Sequence, residues 1–170
     1  MNYTLIGMPA SGKSTIGVIL AKKLGYEFLD SDIVIQRETG KKLTTLIKEL
    51  GIDEFLKLED EINSSINTQD TIISTGGSAI YGENAMKHFK DIGEIVYLRT
   101  NFETLSERIP DMDKRGVVHK AQQSLKDVYK ERGILYKKYA TIVVDLDNKS
   151  LDESIDLIYD KITRGNKNGW

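Results

Sequence analysis

Apolar and polar positions along this chain switch between two periods, about two residues and about three and a half, and the switch recurs from end to end. Short runs rich in Ile, Val, Leu and Thr read as strands at Tyr3–Gly7, Glu27–Asp30, Thr71–Thr75, Glu94–Leu98 and Thr141–Asp145. Helical stripes fill the intervals: Lys13–Leu24, Ile33–Gly40, Leu43–Leu50, Asp53–Asn67, Glu83–Asp91, Phe102–Ile109, Lys120–Lys138 and Leu151–Thr163. Such alternation predicts the α/β class, a parallel sheet wrapped by helices. Thr71–Thr75 and Thr141–Asp145 carry few charges, as strands covered on both faces should.

Two connections exceed what a crossover needs. Residues 32–70 lie between the second and third strands and are nearly all helical in pattern. An insertion at the carboxyl end of a sheet is where a second substrate is held in open α/β folds. The other connection, about 110–120, is polar and marked by Pro110 and Gly116, the composition of a lid. The expected organisation is one domain over 1–163 and a polar tail over 164–170 that leaves Trp170 exposed.

Composition narrows the class without naming it. The 170 residues suffice for one domain with a sizeable core. Twenty-four Lys and Arg against 26 Asp and Glu give a net charge of −2, so nothing points to nucleic acid or an anionic membrane. The absence of Cys removes disulfides, thiolate metal sites and a cysteine nucleophile. With no apolar run of membrane length and no leader pattern, the expectation is a cytoplasmic monomer.

The chemistry begins at Gly7-Met8-Pro9-Ala10-Ser11-Gly12-Lys13-Ser14, a full G-x-x-x-x-G-K-[ST] between a strand and a helix. The glycines turn backbone N–H groups inward around a polyphosphate, Lys13 reaches the β- and γ-phosphates, and the Ser14 hydroxyl can ligate Mg²⁺. Gly7, Ala10, Ser11, Gly12, Lys13, Ser14 and Thr15 are thus candidate nucleotide-binding positions, with ATP and Mg²⁺ as the expected cofactors. A GTPase switch is disfavoured, because Asn148-Lys149 lacks an Asp two residues on.

Four further features suit phosphoryl transfer. Asp30 and Asp32 close the second strand; alternate residues of an extended chain share a face, so both carboxylates can meet one site, one toward the metal and the other toward a substrate hydroxyl. The plain alternative is that Asp30 caps the next helix. Gly76-Gly77 ends the third strand, where bare backbone can approach a ligand or simply turn. Arg132 falls on the apolar stripe Ala121, Leu125, Val128, Leu135, Tyr139, and a charge facing inward needs an anion. Arg108 and Arg115 flank and occupy the lid, from which Arg115 can stabilise charge on the transferred group. His88 and His119 are expected on solvated faces, and nothing in their spacing makes a metal site.

Taken in order, these residues resemble the shikimate kinases, small relatives of the nucleoside-monophosphate kinases. The likeness runs from Asn2 to Ile162 through Lys13-Ser14-Thr15, Leu29-Asp30-Ser31-Asp32, Glu38-Thr39-Gly40, Glu54-Phe55 with Glu59, Ser74-Thr75-Gly76-Gly77, Arg115, and Arg132 with Leu135-Tyr136. The resemblance implies a five-stranded parallel sheet in the order 2-3-1-4-5 and ATP-dependent phosphorylation of shikimate. It makes Asp30 a water-mediated metal partner, and Asp32, Gly76, Gly77 and Arg132 acceptor contacts. Arg108 falls beside the adenine and Arg115 on the phosphates. Three departures fall on the acceptor side: Leu56 replaces an Arg that pairs with the substrate carboxylate, Ser78 replaces a third Gly, and Gly116 replaces a lid Pro, which predicts a looser lid. Losing one of two charge-assisted contacts costs about 1.5–3 kcal/mol. Another small hydroxylated metabolite is therefore the second reading, and a nucleotide-binding relative without transfer activity the third.

Overall fold

The computed structural model describes residues 1–166. Strands β1 (Asn2–Ile6), β2 (Glu27–Asp30), β3 (Thr71–Ser74), β4 (Gly93–Arg99) and β5 (Ile142–Asp145) pair in parallel in the order β2-β3-β1-β4-β5. The central strand is in register with both neighbours, Tyr3 opposite Ile72 and Leu5 opposite Val96. Side chains alternate through the sheet. Tyr3, Leu5, Ile72, Val96 and Leu98 pack with Ile16 and Leu20 of α1 (Lys13–Leu24) and Ile158 of α9 (Leu151–Asn166) on one face. Ile6, Ile73, Ile95 and Tyr97 pack with Phe89 of α5 (Glu83–Ile92) and Val128 and Tyr136 of α8 (Leu125–Tyr139) on the other.

The insertion forms α2 (Ser31–Thr39), α3 (Leu43–Leu50) and α4 (Ile52–Ser64), with a small core of its own around Ile35, Leu46, Phe55 and Ile62. Val118 of the lid joins that core, which ties lid to insertion. After β4, α6 (Phe102–Arg108) leads into a one-turn helix, α7 (Met112–Arg115). No helix among the described residues is long and apolar enough to cross a membrane.

Several expectations shift. β5 is an edge strand with Val143 38% exposed, so only β3 of the two low-charge runs is covered on both faces. The helix expected from Lys120 begins at Leu125, because Ser124 and Asp127 form a reciprocal capping box that fixes the start; Ala121 lies outside it and exposed. The final helix runs through Asn166, so the first residues of the expected tail are helical; Trp170 lies outside the described residues. Both histidines are half-buried and bonded, His88 Nε2 to the Ile66 carbonyl at 2.6 Å and His119 Nε2 to Asp113 at 3.0 Å. Gly116 does not simply loosen the lid. At φ +70° it closes α7, with its N–H on the Asp113 carbonyl at 3.1 Å and that of Val117 on Met112 at 2.9 Å, a left-handed cap that favours glycine.

Candidate active site

The first βα turn shows why the sequence needs its glycine there. A Cβ on Gly7 would lie 2.7 Å from the Leu98 carbonyl oxygen, and its φ of +151° is one that other residues rarely adopt. The loop closes with Gly12 as the left-handed N-cap of α1, which leaves the first N–H groups of that helix facing the cleft. Lys13 is 7% exposed and folds back on the loop, its Nζ donating to the carbonyls of Gly7 at 2.9 Å and Met8 at 2.8 Å. Burial lowers its pKa to about 8; Asp32 and Asp30 oppose that shift and Arg132 and Arg115 add to it. The ammonium thus stays charged at neutral pH while already stripped of water.

Asp30 takes the cap role, the plain alternative weighed for it, and also meets Ser14. Its Oδ1 accepts the Asp32 N–H at 3.0 Å and caps α2, while its Oδ2 accepts the Ser14 hydroxyl at 2.8 Å. Ser14 Oγ also lies 3.2 Å from Ser74 Oγ, a neighbour the sequence reading did not select. Asp30 and Asp32 meet at one site, though by a different route from the one expected: Asp30 ends the strand and Asp32 already belongs to the helix. Burial, then the Asp30 charge, raises the Asp32 carboxyl to about 6, with Lys13 pulling the other way.

A cleft of about 660 Å³ runs over this loop. Ala10, Gly12, Lys13, Ser14 and Thr15 line one side, Asp32, Gly76 and Gly77 the far end, and Arg108 and Arg115 the lid side. Arg108 also donates to the Ala10 carbonyl at 3.1 Å. A second hollow of about 300 Å³ continues past Ser11, Gly12 and Arg108 to Asn148 and Lys149 at the β5–α9 turn. Ser11 Oγ is buried there without a hydrogen-bond partner among the described residues.

Arg132 is set apart from the open cleft. It is 1% exposed on the buried face of α8 between Val128 and Tyr136, and its guanidinium lies 5.5 Å from the centre of the Tyr81 ring. Nη2 donates to the carbonyl of Val118 in the lid, while Nε and Nη1 have no hydrogen-bond partner among the described residues. It faces a cavity of about 40 Å³ that also meets Asp32, Glu59, Gly76, Gly77 and Ser78, with Val117 and Val118 as its roof. That space admits water but not a drug-sized ligand, so the lid residues fill what would otherwise be a pocket.

Glu59 is the residue that sequence reasoning left out of the site. It is 2% exposed, and burial raises its carboxyl to about 7. The signal was present: Phe55, Glu59 and Ile62 share the inward stripe of α4, as Arg132 shares that of α8.

A strand–loop–helix phosphate cradle, beside a cavity walled by Asp32 and a buried guanidinium, sits in a chain that matches the shikimate kinase family model over residues 9–163. The chain belongs to the shikimate kinase family. A shikimate kinase of Persephonella marina is 33% identical over 162 residues, covering 95% of this chain and 98% of its own. One from Haemophilus influenzae is 34% identical over 169 residues, covering 97% and 94%. Among solved structures, the shikimate kinase of Aquifex aeolicus superposes with a TM-score of 0.83 at 31% identity over the whole of both chains. That of Acinetobacter baumannii, solved in complex with shikimate, gives 0.83 at 30% identity over 99% of this chain and 94% of its own. The shikimate kinase fold expected from the sequence, including its strand order, is the one observed.

Proposed function

We propose that this chain transfers the γ-phosphoryl group of MgATP to a ring hydroxyl of shikimate, acting as a monomer. The observation that carries the acceptor is Arg132, a buried guanidinium with two unpartnered nitrogens beside Asp32 and Gly77. A carboxylate on a hydroxylated ring is the ligand that such a pair can grip at both ends.

The triphosphate would lie along Gly7–Thr15, with Lys13 leaving the Gly7 and Met8 carbonyls to meet the β- and γ-phosphates. The base would occupy the hollow beyond Arg108. Ser14 and Asp30 supply hard oxygen donors side by side, and no cluster of three or more metal-binding side chains occurs among the described residues. That fits Mg²⁺, which takes one or two protein ligands and completes its shell with phosphate and water. Bound there, it would neutralise charge growing on the β- and γ-phosphate oxygens. Asp32 accepts the proton of the attacking hydroxyl as the new P–O bond forms and the bond to the β-phosphate oxygen breaks. With its pKa at about 6 it is ionised at neutral pH and still a better base than an ordinary aspartate. Arg115, exposed on the lid side of the cleft, folds over the transferred group.

Leu56 favours a second reading, a less anionic hydroxylated acceptor, since no cation stands at that position. Coupled measurement of ADP release with MgATP, with and without shikimate, separates the two. Turnover that requires shikimate is the expected result. Stabilisation by MgATP without shikimate-dependent ADP release overturns the assignment and directs attention to other polyols.

A further inference from the structure

Positions 56 and 59 lie one turn apart on the same side of α4, where a cation and a carboxylate support each other. In this chain position 56 is Leu, half-buried against the core of the insertion. Lys57, the neighbouring cation, is exposed and bonded to Glu54 at 2.6 Å. Glu59 is left buried and without an ion pair among the described residues. A buried carboxylate so placed requires another donor. Ser78 provides it: its hydroxyl, itself buried, donates to Glu59 Oε2 at 2.7 Å. The other oxygen is aimed at the acceptor pocket. A Cβ built on Gly76 would lie 2.9 Å from Glu59 Oε1 and 2.8 Å from Asp32 Oδ1, so both carboxylates converge over that glycine.

We infer that Ser78 is a positioning residue of the acceptor site, its hydroxyl holding Glu59 beside Asp32 in place of a cation at position 56. The inference rests on the acceptor reading above and refines it. A pocket held this way offers two carboxylates to hydroxyl donors and one guanidinium to a single carboxylate, which suits a polyhydroxylated monocarboxylic acid. The charges around Glu59 agree with a shared burden. Ser78 and Arg132 of α8 favour its ionised form, whereas burial, Asp32 of α2 and Asp60 of its own helix oppose it. Tyr136, from the same face of α8 as Arg132, donates its hydroxyl to the Gly77 carbonyl at 2.7 Å and fixes the backbone that carries Ser78.

The experiment compares wild type, S78G, L56R and L56R/S78G in steady-state kinetics with MgATP and shikimate between about pH 6 and pH 9. Alongside, Glu59 is titrated in the ligand-free proteins by carboxyl ¹³C NMR. S78G should raise the acceptor KM about tenfold, the loss expected for one hydrogen bond to a buried charge, and leave kcat and the KM for MgATP within about twofold. It should also move the Glu59 titration to higher pH. In the L56R background the same change should cost less than about threefold, because Arg at 56 then shares the work. An unmoved Glu59 titration, an unmoved acceptor KM, or full additivity in the double variant overturns the inference. S78A serves if S78G does not fold, with the same readings. Should the wild type show no shikimate-dependent turnover, the acceptor reading falls alone, and the Glu59 titration still decides for or against Ser78.

Discussion

The two ends of the cleft are built on opposite plans. At the phosphate end one run of residues, Gly7 to Thr15, supplies nearly everything, and two of its polar side chains find partners within the protein: Lys13 on the Gly7 and Met8 carbonyls, Ser14 on Asp30. At the acceptor end Asp32, Glu59, the turn Gly76–Ser78 and Arg132 arrive from four separate parts of the chain, and two nitrogens of Arg132 have no hydrogen-bond partner among the described residues. At the phosphate end the ammonium and the Ser14 hydroxyl are already bonded before a ligand arrives. The acceptor end holds a buried guanidinium bonded to the Val118 carbonyl through one nitrogen only. Binding generality belongs to the first plan, because backbone and helix terminus accept any polyphosphate. Discrimination belongs to the second, because an unpaired buried group penalises every ligand that fails to meet it.

Three changes break or sharpen this contrast, in order of expected effect. Lys13→Ala should lower kcat about a thousandfold and leave the acceptor KM within about threefold, since the change is confined to the phosphate end; steady-state kinetics with varied shikimate reads both, and preserved turnover sinks the mechanism. Arg132→Met should do the reverse, raising the acceptor KM about a hundredfold with the KM for MgATP little changed. It should also raise the melting temperature of the ligand-free protein by several degrees, as removal of a buried, underpaired charge does. A lower melting temperature would mean that the Val118 contact and the Tyr81 ring satisfy the guanidinium after all.

The smallest effect is on pH dependence. Glu59 has its pKa raised in the folded protein to about 7 from an ordinary 4.5. The folded state therefore holds more protons than the unfolded one between those values, and stability falls as pH rises through that window, then levels off. Glu59→Gln should remove about half of the combined slope, on the order of 3 kcal/mol across the window. The residual slope belongs to Asp32, raised to about 6. Thermal melts of ligand-free protein from pH 5 to about pH 8 check this, and an unchanged slope would place the titrating group elsewhere.

The same contrast governs what the sequence disclosed. The phosphate loop with its flanking strand and helix was legible because its geometry is local, and Asp30 and Asp32 were legible as a pair because they are two residues apart, although Asp32 joins the helix rather than the strand. Arg132 was legible because one helical stripe exposes a misplaced charge. Glu59 carried the same signal on α4 and was passed over as part of a longer pattern. The bond from Ser78 to Glu59 had no local signature, since the two residues are 19 apart and meet only when β3 brings its turn against α4. Nor did sequence pattern reveal α7, whose single turn depends on Asp111 and Gly116 as caps rather than on an apolar stripe. The start of α8 was misplaced for a related reason: the stripe continues past Ser124, and only the reciprocal bonds with Asp127 end it.

The carbonyl of Val118 on Arg132 has a thermodynamic consequence. In the proposed acceptor pose the lid's main chain is a tethered occupant of the space the acceptor takes, present at fixed effective concentration and bonded to Nη2 of the same guanidinium. The affinity measured for any acceptor is its intrinsic affinity scaled by the fraction of molecules in which that strap has been lifted. Tighter lid packing, such as a larger residue at Val117 filling the roof, therefore weakens acceptor binding without touching a single acceptor contact.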